Sequence, residues 1–491
     1  MQPYLFIILA YILVLMAFNI VRSRRVRGHD DFMVAGRSLS IQVMVFTLIC
    51  TWIGSGTFIA GAEYAYRAGF SSIWMPAGAW LGIALIYFLA GKIRTFGQYT
   101  IGDILEARYG KFARLFGAFA LIVAFVTIVS YQFRAGGYIL NVATDGAVSV
   151  EVGQAITAFF VIFFTALAGM LAVAYTDLPN GIIILSACVI ATPFVVASAG
   201  GWTQAVRSLP AGHFQVFSPD FGAHPALKAG GYFLATMALL MGIQSMYQKF
   251  YSAKTPKAAR QAVLLWIVGT IAVEIFVVVI AVFAASRFWN QGRDPASMVL
   301  LAARYMTPKP VGILLLAAAC AVVISTGMNY LLSPSTNVMK DILPWFGKTD
   351  IEDKRKVYLQ KVVVVLLGVL AFLMVFVPTL LHKSVSVLRY SYFAYTMYGV
   401  SITPALIAAL AWKRATKAGG TASIVSGTLL ILFFEFVVPA AWPGVMKGGD
   451  PWGIPSIYPS LLVSVLTLLI VSWATPPPKP AVLKKLFPDK T

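Results

Sequence analysis

The chain has 491 residues, of which only 11% are charged and 59% are hydrophobic. Ordinary soluble domains carry about 25% charged residues, so this composition excludes a soluble enzyme and also the coiled-coil and disordered classes. The net charge of +20 comes from basic residues that stand between long apolar runs and not in one patch, which indicates many membrane crossings and argues against nucleic-acid binding.

Thirteen apolar runs are long enough to cross a bilayer core of about 30 Å, which takes around 20 helical residues. They are too long and too uniformly apolar for the strands of a membrane β-barrel, which have about 10 residues each. The sequence therefore predicts an all-α, polytopic membrane protein with about 13 transmembrane helices. The predicted helices cover residues 3–21, 42–66, 70–93, 115–138, 152–175, 181–199, 230–248, 262–285, 311–333, 362–380, 388–411, 421–438 and 456–474.

The loops between these runs differ in their content of lysine and arginine. Most of the 38 basic residues fall in alternate loops on one side, beginning with Arg22, Arg24, Arg25 and Arg27 directly after the first run. Because cytoplasmic loops are enriched in basic residues, we expect the N-terminus outside and the C-terminus in the cytoplasm, in the inner or plasma membrane of the cell. The first run lacks a basic start and a small-residue cleavage site, so we interpret it as an anchor helix and not as a signal peptide.

The second run contains two glycines one residue apart, Gly54 and Gly56. Each weakens a helix by about 1 kcal/mol, so the pair favours an unwound turn whose carbonyls point into a cavity. Close packing of a small-residue face explains the same residues, and the sequence leaves both interpretations open. Trp52 stands beside this turn, where its ring could face a cation or simply pack.

Charged residues within or at the ends of the runs are further candidates, because they are costly in a membrane. Arg134, toward the outer end of the fourth run, could bind a substrate carboxylate, snorkel to the interface or lock a gate with Glu63. Asp177, at the inner end of the fifth run, could cap the next helix. Glu274 and Glu435 lie deep in their runs, either paired within the bundle or as proton or cation sites.

The ninth run ends with two hydroxyl residues, Ser325 and Thr326. On a helix the Thr326 hydroxyl lies beside the carbonyl of Val322, four residues earlier. Two hydroxyls and a carbonyl form a compact set of hard oxygen ligands, which suits a small alkali cation. Membrane serines and threonines also bond back to their own helix, and that alternative stays open here.

The sequence shows no sign of enzymatic chemistry. Cys50, Cys188 and Cys320 all lie in apolar runs without metal-ligand spacing, and the four histidines form no cluster. No kinase, nucleotide-binding or nuclease motif occurs. We therefore predict a protein that is not an enzyme and needs no organic cofactor.

Five segments occur along the chain in a characteristic order: 30–39 (DDFMVAGRSL), 106–110 (EARYG), 175–177 (YTD), 248–260 (QKFYSAKTPKAAR), and 324–326 (IST) followed by 340–342 (KDI). Their order, spread over nearly the whole chain, resembles the sodium:solute symporter family. The resemblance implies a LeuT-type fold, in which five helices repeat inverted as the next five, and it implies sodium as the coupling ion. One N-terminal and two C-terminal helices are extra.

The resemblance also implies a division of the chain. We expect an anchor helix and inner loop over 1–41, a first inverted repeat over 42–200, an outer loop and second repeat over 201–412, and two helices with a basic tail over 413–491. Binding sites in such folds lie where the first helix of each repeat is broken. Here those breaks are predicted at the Gly54 and Gly56 pair and, more weakly, at Gly242.

The site residues that the resemblance implies are of two kinds. Sodium is expected at the backbone carbonyls of Cys50, Ile53 and Val322 and the hydroxyls of Ser325 and Thr326, with Asp177 on the cation path. The candidate substrate residues are Trp52, Gly54, Arg134, Leu239 and Gln244.

The sequence disfavours some substrate classes of the family but does not identify the substrate. Leu239 stands where sugar-transporting members have an aromatic gate, Trp52 stands where proline-type members have an acid, and the aromatic cage of choline-type members is incomplete. We predict a sodium-coupled symporter of a small polar organic solute, carboxylate-bearing if Arg134 contacts it. A proton-coupled or sodium-independent transporter and a membrane sensor are the alternatives. The expected partners are the solute, sodium and the lipid bilayer, with no nucleic acid and no obligate protein partner.

Overall fold

The computed structural model describes residues 3–23, 29–96, 98–219, 221–347, 352–381 and 383–487, and these are almost entirely helical, with one short antiparallel hairpin. The helices are α1 Pro3–Ser23, α2 His29–Val34, α3 Ile41–Trp52, α4 Gly61–Ala68, α5 Trp74–Phe96, α6 Ile101–Tyr109, α7 Lys111–Ala143, α8 Val150–Ser198, α9 Gly201–Ser208, α10 Pro225–Gly242, α11 Gln244–Ser252, α12 Pro256–Phe288, α13 Met298–Tyr305, α14 Lys309–Asn337, α15 Asp353–Leu380, α16 Val387–Ser401, α17 Thr403–Ala411, α18 Lys417–Leu432, α19 Val438–Ala441, α20 Ile457–Ala474 and α21 Pro480–Leu486; the strands are β1 Met446–Lys447 and β2 Asp450–Pro451.

The predicted all-α membrane architecture is confirmed. Within the described residues, 11 helical segments are long and apolar enough to cross a membrane, and two shorter apolar helices lie at Tyr4–Leu15 and Ile41–Trp52. Each of the predicted runs lies mainly on helix. The total of 13 crossings stays a prediction, because a helix of 12 residues such as α3 spans a bilayer only together with the segment that follows it.

Both predicted helix breaks are present. Helix α3 ends at Trp52, Ile53 is extended with ψ 98°, and the chain resumes as a π-helical turn over Gly56–Ala60. Helix α10 ends at Gly242, Ile243 is extended with ψ 121°, and α11 begins directly afterwards. The structure therefore contains two interrupted helices where the resemblance implies them, while the five-plus-five repeat itself stays a prediction.

The boundary between the fifth and sixth predicted helices is wrong. The turn lies at Gly169, with φ +60° and ψ −160° inside α8, and not at residues 176–180. A glycine is needed there, because φ is positive and a Cβ would lie 2.6 Å from the ring of Phe32. Asp177 consequently lies inside the second half of α8 and is fully buried, so it is no cap at a helix end.

Helix α14 lies at the centre of the bundle, packed against α3, α7 and α8, and most of its residues are buried. Helices α15, α18 and α20 lie at the periphery and expose large apolar side chains such as Leu366, Leu429 and Ile470. Such a surface is stable against lipid tails and unfavourable in water. The breaks of α3 and α10 thus lie inside a shell of lipid-facing helices.

Candidate sodium and solute site

The break after α3 meets the middle of α14 at Thr326. The Thr326 hydroxyl donates to the carbonyl oxygens of Cys50, at 2.9 Å, and Ile53, at 3.1 Å. These carbonyls are available because the chain leaves the helix at Ile53 and Gly54, where Gly54 accepts the next backbone hydrogen bonds instead. Three oxygens from two helices therefore converge at one buried point, as hard ligands for an alkali cation do.

The hydroxyl of Ser325, beside Thr326 on α14, bonds a different group from the one that Thr326 bonds. Its hydroxyl donates to Asp177 Oδ1, while Asn329 donates to Asp177 Oδ2 at 3.2 Å and Thr47 donates to the same oxygen at 2.5 Å. The sodium set implied by the resemblance is thus divided between the carbonyls of the α3 break and the carboxylate of α8. Val322 is buried on α14 one turn before Thr326.

A buried lysine adjoins this carboxylate. Lys249 donates to Asn329 Oδ1 and lies 3.0 Å from Met170 Sδ, so that the Asn329 amide connects its ammonium group to Asp177. The sequence places Lys249 in an inner loop, which is wrong, because α11 carries it into the bundle with no exposed surface. A fixed positive charge therefore lies close to the proposed cation path.

Trp52, at the end of α3, belongs to a second cluster. Its indole Nε1 donates to Glu274 Oε1 at 2.8 Å, and the indole of Trp80 donates to Glu274 Oε2 at 2.6 Å. The rings of Trp52 and Tyr395 lie 5.8 Å apart. Trp52, Glu274, Tyr395 and Gly56 line a narrow cavity.

Because Gly54 has no side chain, the unwound segment can lie close to α14 and α7. A Cβ on Gly54 would lie 2.8 Å from Thr326 Cγ2 and 3.0 Å from the side-chain nitrogen of Gln132. Gln132, in α7, also accepts a hydrogen bond from the backbone nitrogen of Ser55 at 3.2 Å. The unwound segment is therefore held by α14 on one side and α7 on the other.

Arg134 does not contact this cavity. Its guanidinium donates to Glu151 at 3.2 Å and to Gln154 at 3.4 Å, both near the start of α8. The suggested partner Glu63 instead forms an ion pair with Arg67 at 3.0 Å. The pair of Arg134 and Glu63 proposed from the sequence is thus absent among the described residues.

Gln244 and Leu239 also lie away from the cavity beside Trp52. Gln244 accepts from the backbone nitrogen of Ile101 at 3.1 Å and from the Asn337 amide at 2.9 Å. Leu239 is fully buried in α10 just before the second break. Their contact with a substrate stays a prediction.

The Gln244 contacts continue into a polar cluster at the predicted cytoplasmic end. Arg114 bonds Asp103 at 2.8 Å and Asp341 at 2.6 Å, and it also pairs with Glu106. Asn337 donates to Asp341 at 2.6 Å. This inner cluster, defined as Arg114, Asp103, Glu106, Asn337 and Asp341, joins α6, α7 and the end of α14.

Sequence reasoning missed several of these groups. Gln132 stands in the middle of an apolar run, and that position alone is a signal for a polar site. Trp80, Asn329 and Lys249 carry no comparable local signal, because their partners come from distant segments. The sequence therefore located the α3 break and Thr326 but not the groups that surround them.

Comparison with known proteins identifies the family that this sequence and fold resemble. A sequence profile of the sodium:solute symporter family matches residues 32–427. The chain is 26% identical over 501 residues to a sodium/proline symporter of Staphylococcus aureus (strain bovine RF122 / ET3-1), covering 97% of this chain and 93% of that protein. The sodium/proline symporter of strain JH9 is 25% identical with the same coverage.

Solved structures agree on the fold. A Na⁺-coupled sialic acid symporter in a substrate-bound outward-open state superposes with a TM-score of 0.79 at 16% identity, covering 97% of this chain and 98% of that chain. A nucleobase-cation-symport-1 family transporter, closed around bromovinylhydantoin, gives a TM-score of 0.61 at 13% identity, covering 93% and 97%. The predicted LeuT-type transporter fold is confirmed.

The profile covers most of the chain, and the helices, their breaks and the fold agree with it. The family consists of sodium-coupled membrane transporters, so the prediction that the protein is not an enzyme is confirmed. The chain belongs to the sodium:solute symporter family.

Proposed function

We propose that the chain is a secondary active symporter that imports a small polar organic solute together with sodium by alternating access. The observation that carries this proposal is the meeting of the Thr326 hydroxyl with the carbonyls of Cys50 and Ile53. These oxygens belong to two helices, so a cation held among them ties α3 to α14. Sodium can then favour one arrangement of the helices around the solute cavity, provided that it binds that arrangement more tightly.

A bound sodium ion exchanges one set of contacts for another. The Thr326 oxygen becomes a ligand, and its hydrogen turns away from the carbonyls of Cys50 and Ile53. Ser325 and Val322 are the proposed further ligands, with Ser325 giving up its bond to Asp177. The Asp177 carboxylate is proposed to attract the cation on its path.

The driving force is the inward sodium gradient. A membrane potential of 100 mV contributes about 2.3 kcal/mol for each positive charge that moves inward, and the concentration gradient adds to it. The inner cluster around Arg114 closes the predicted cytoplasmic end, and import requires it to open after sodium and solute are bound.

The relatives support a solute of amino-acid size. The S. aureus proteins named above are sodium/proline symporters, and proline is a solute of that size. A carboxylate on the solute stays a prediction, and it needs a donor other than Arg134, whose guanidinium faces Glu151.

The test is the thermal stability of the purified protein in detergent, in sodium against potassium at equal ionic strength. Sodium at about 100 times its dissociation constant stabilises the folded state by about 2.7 kcal/mol. We expect a sodium-specific rise in Tm that Thr326→Ala abolishes. The matched control is Thr428→Ala, because the buried Thr428 hydroxyl bonds back to Ile424 within its own helix.

Three results are informative. Equal stability of the wild type in both ions contradicts sodium binding and favours proton coupling. A sodium effect that survives in Thr326→Ala contradicts the site assignment. Loss of the effect in Thr428→Ala as well shows that a general destabilisation, and not the site, is responsible.

A further inference from the structure

Glu274 is a buried carboxylate that the sodium site does not use. It lies 18 residues after the start of α12 and 14 before its end, which at 1.5 Å per residue is about 27 Å and 21 Å along the helix. Only 2% of its surface is exposed. The carboxylate therefore lies near the middle of a membrane-spanning helix.

The partners of Glu274 leave its charge uncompensated. Each carboxylate oxygen accepts one indole N–H, from Trp52 and Trp80, and both donors are neutral. No lysine, arginine or histidine of the described residues lies within 4 Å of this carboxylate. Burying a carboxylate without a cation is unfavourable, so the ionised form of Glu274 is stabilised by a positive partner from outside the chain.

The surroundings indicate which cation fits. Trp52 and Tyr395 present their rings to the same cavity, and the Tyr131 hydroxyl bonds that of Tyr395 at 3.2 Å. Aromatic faces attract organic ammonium groups through their quadrupoles. The remaining wall is mostly apolar, with Met75, Pro76, Val277 and Val278. Such a lining suits an organic cation with an apolar body better than a bare metal ion.

We propose that the transported solute carries a positively charged amino or ammonium group, which binds the Glu274 carboxylate beside the rings of Trp52 and Tyr395. The inference rests on the proposed symport and adds the substrate class. Trp52 lies between Cys50 and Ile53 in the chain, so the two cations bind on either side of one unwound segment. The negative charge of the Glu274 carboxylate, when ionised, offsets the repulsion between them.

The experiment uses the purified full chain in sodium and two matched pairs of probes. The first pair is L-proline and tetrahydrofuran-2-carboxylate, in which a ring oxygen replaces the ammonium group. The second pair is choline and 3,3-dimethylbutan-1-ol, which differ in the quaternary nitrogen. We expect a saturable rise in Tm with at least one ammonium probe, and an apparent affinity at least about 10-fold weaker for the partner that lacks the ammonium group, since that partner leaves the buried charge unpaired.

Substitutions assign the effect to Glu274. Glu274→Gln keeps the shape of the side chain and the sodium-specific rise in Tm. It weakens the binding of the ammonium probe by about 10-fold or more, since a charge-assisted bond is lost. The matched control is Glu435→Gln, which changes another acid in a membrane segment, bonded to Ser456 and outside this cavity. It leaves the affinity for the ammonium probe unchanged.

The outcomes separate this inference from the proposed symport. A probe without the ammonium group that binds as tightly as its ammonium partner, an unchanged affinity in Glu274→Gln, or no shift with either ammonium probe overturns the inference. None of these results affects the sodium-specific rise in Tm. A missing sodium effect in the wild type, in contrast, contradicts the proposed coupling, whatever the probes do.

Discussion

At Gly54 the unwound segment comes close to its neighbouring helices. A Cβ there would lie 2.8 Å from Thr326 Cγ2 and 3.0 Å from the Gln132 amide, so either side chain would have to move. Overpacking of this kind costs about 1–3 kcal/mol. The hydroxyl proposed to bind sodium is among the groups displaced, which couples the size of residue 54 to cation affinity.

We expect Gly54→Ala to weaken the apparent sodium affinity by about 10-fold, the equivalent of about 1.4 kcal/mol. The measurement is the sodium concentration that gives half the maximal rise in Tm. Gly61→Ala is the matched control, because a Cβ there lies 3.6 Å from the carbonyl of Gly56, an ordinary contact. If Gly54→Ala and Gly61→Ala bind sodium alike, Gly54 does not position Thr326.

Lys249 offers a second prediction at the residue scale. Its ammonium reaches Asp177 through the Asn329 amide, so removal of either charge leaves the other without its counterpart in the interior. We expect Lys249→Met and Asp177→Asn each to lower Tm. The double variant should be more stable than the sum of the two effects implies, with a coupling of about 1 kcal/mol or more.

The control for this cycle is Lys249→Met combined with Glu435→Gln. Glu435 bonds Ser456 and shares no partner with Lys249, so these two effects should add. Additivity in the Lys249 and Asp177 pair as well would show that the two charges do not interact.

Local sequence determines some of these groups and not others. The glycine pair, Trp52 and the Ser325–Thr326 pair could be identified because helix propensity and family resemblance act over a few neighbouring positions. The partner of Glu274 could not, because Trp80 is 194 positions away and meets it only when α5 packs beside α12. Arg134 illustrates the same limit, since its partner Glu151 depends on how α7 packs against α8.

At the scale of elements, α14 connects the proposed sodium site to the inner cluster. It carries Thr326 at the proposed sodium site and Asn337 in the inner cluster, 11 residues further along, or about 16 Å of helix. The helical runs followed from apolar patterning, and the two breaks followed from the glycines and the family resemblance. The turn at Gly169 did not, because the apolar run continues through it and only the close approach of Phe32 makes a glycine necessary.

Opening of the inner cluster can be measured with a cysteine reporter. Ser333 is fully buried and accepts from Gln244 beside the cluster. In a Ser333→Cys background we expect Arg114→Gln to raise the rate of maleimide labelling at least about fivefold, since breaking a buried ion pair costs several kcal/mol. Lys257→Gln, at an exposed residue at the start of α12, is the control.

Two comparisons decide this prediction. The chain without Ser333→Cys gives the background from Cys50, Cys188 and Cys320, which are all buried. Equal labelling rates in Arg114→Gln and Lys257→Gln, after that background is subtracted, would contradict a gating role for Arg114.

At the scale of the whole molecule, burial separates a central set of helices from a lipid-facing shell. Helices α14, α16 and α17 are mostly buried, while α15, α18 and α20 expose apolar side chains. Thr326 and Tyr395, from the proposed sodium and solute sites, belong to the inner set. Composition alone predicted the membrane class, whereas the order of the helices in space required the three-dimensional structure.

The orientation of the chain is the prediction that belongs to this scale. An odd number of crossings places the two termini on opposite faces of the membrane, and an even number places them on the same face. The excess of basic residues in alternate loops favours an external N-terminus. The hairpin of β1 and β2, between α19 and α20, is then also external, and a tag after Gly449 meets open space.

We expect tags at the N-terminus and after Gly449 to be cleaved by protease added to right-side-out vesicles, and a C-terminal tag to be cleaved only in inverted vesicles. Cleavage of both terminal tags from the same side would contradict 13 crossings. Opposite termini with reversed access would retain the odd number but reverse the orientation. In that case the Arg114 cluster would close the external end, and the sodium gradient would act on the bundle from the opposite direction to the one proposed.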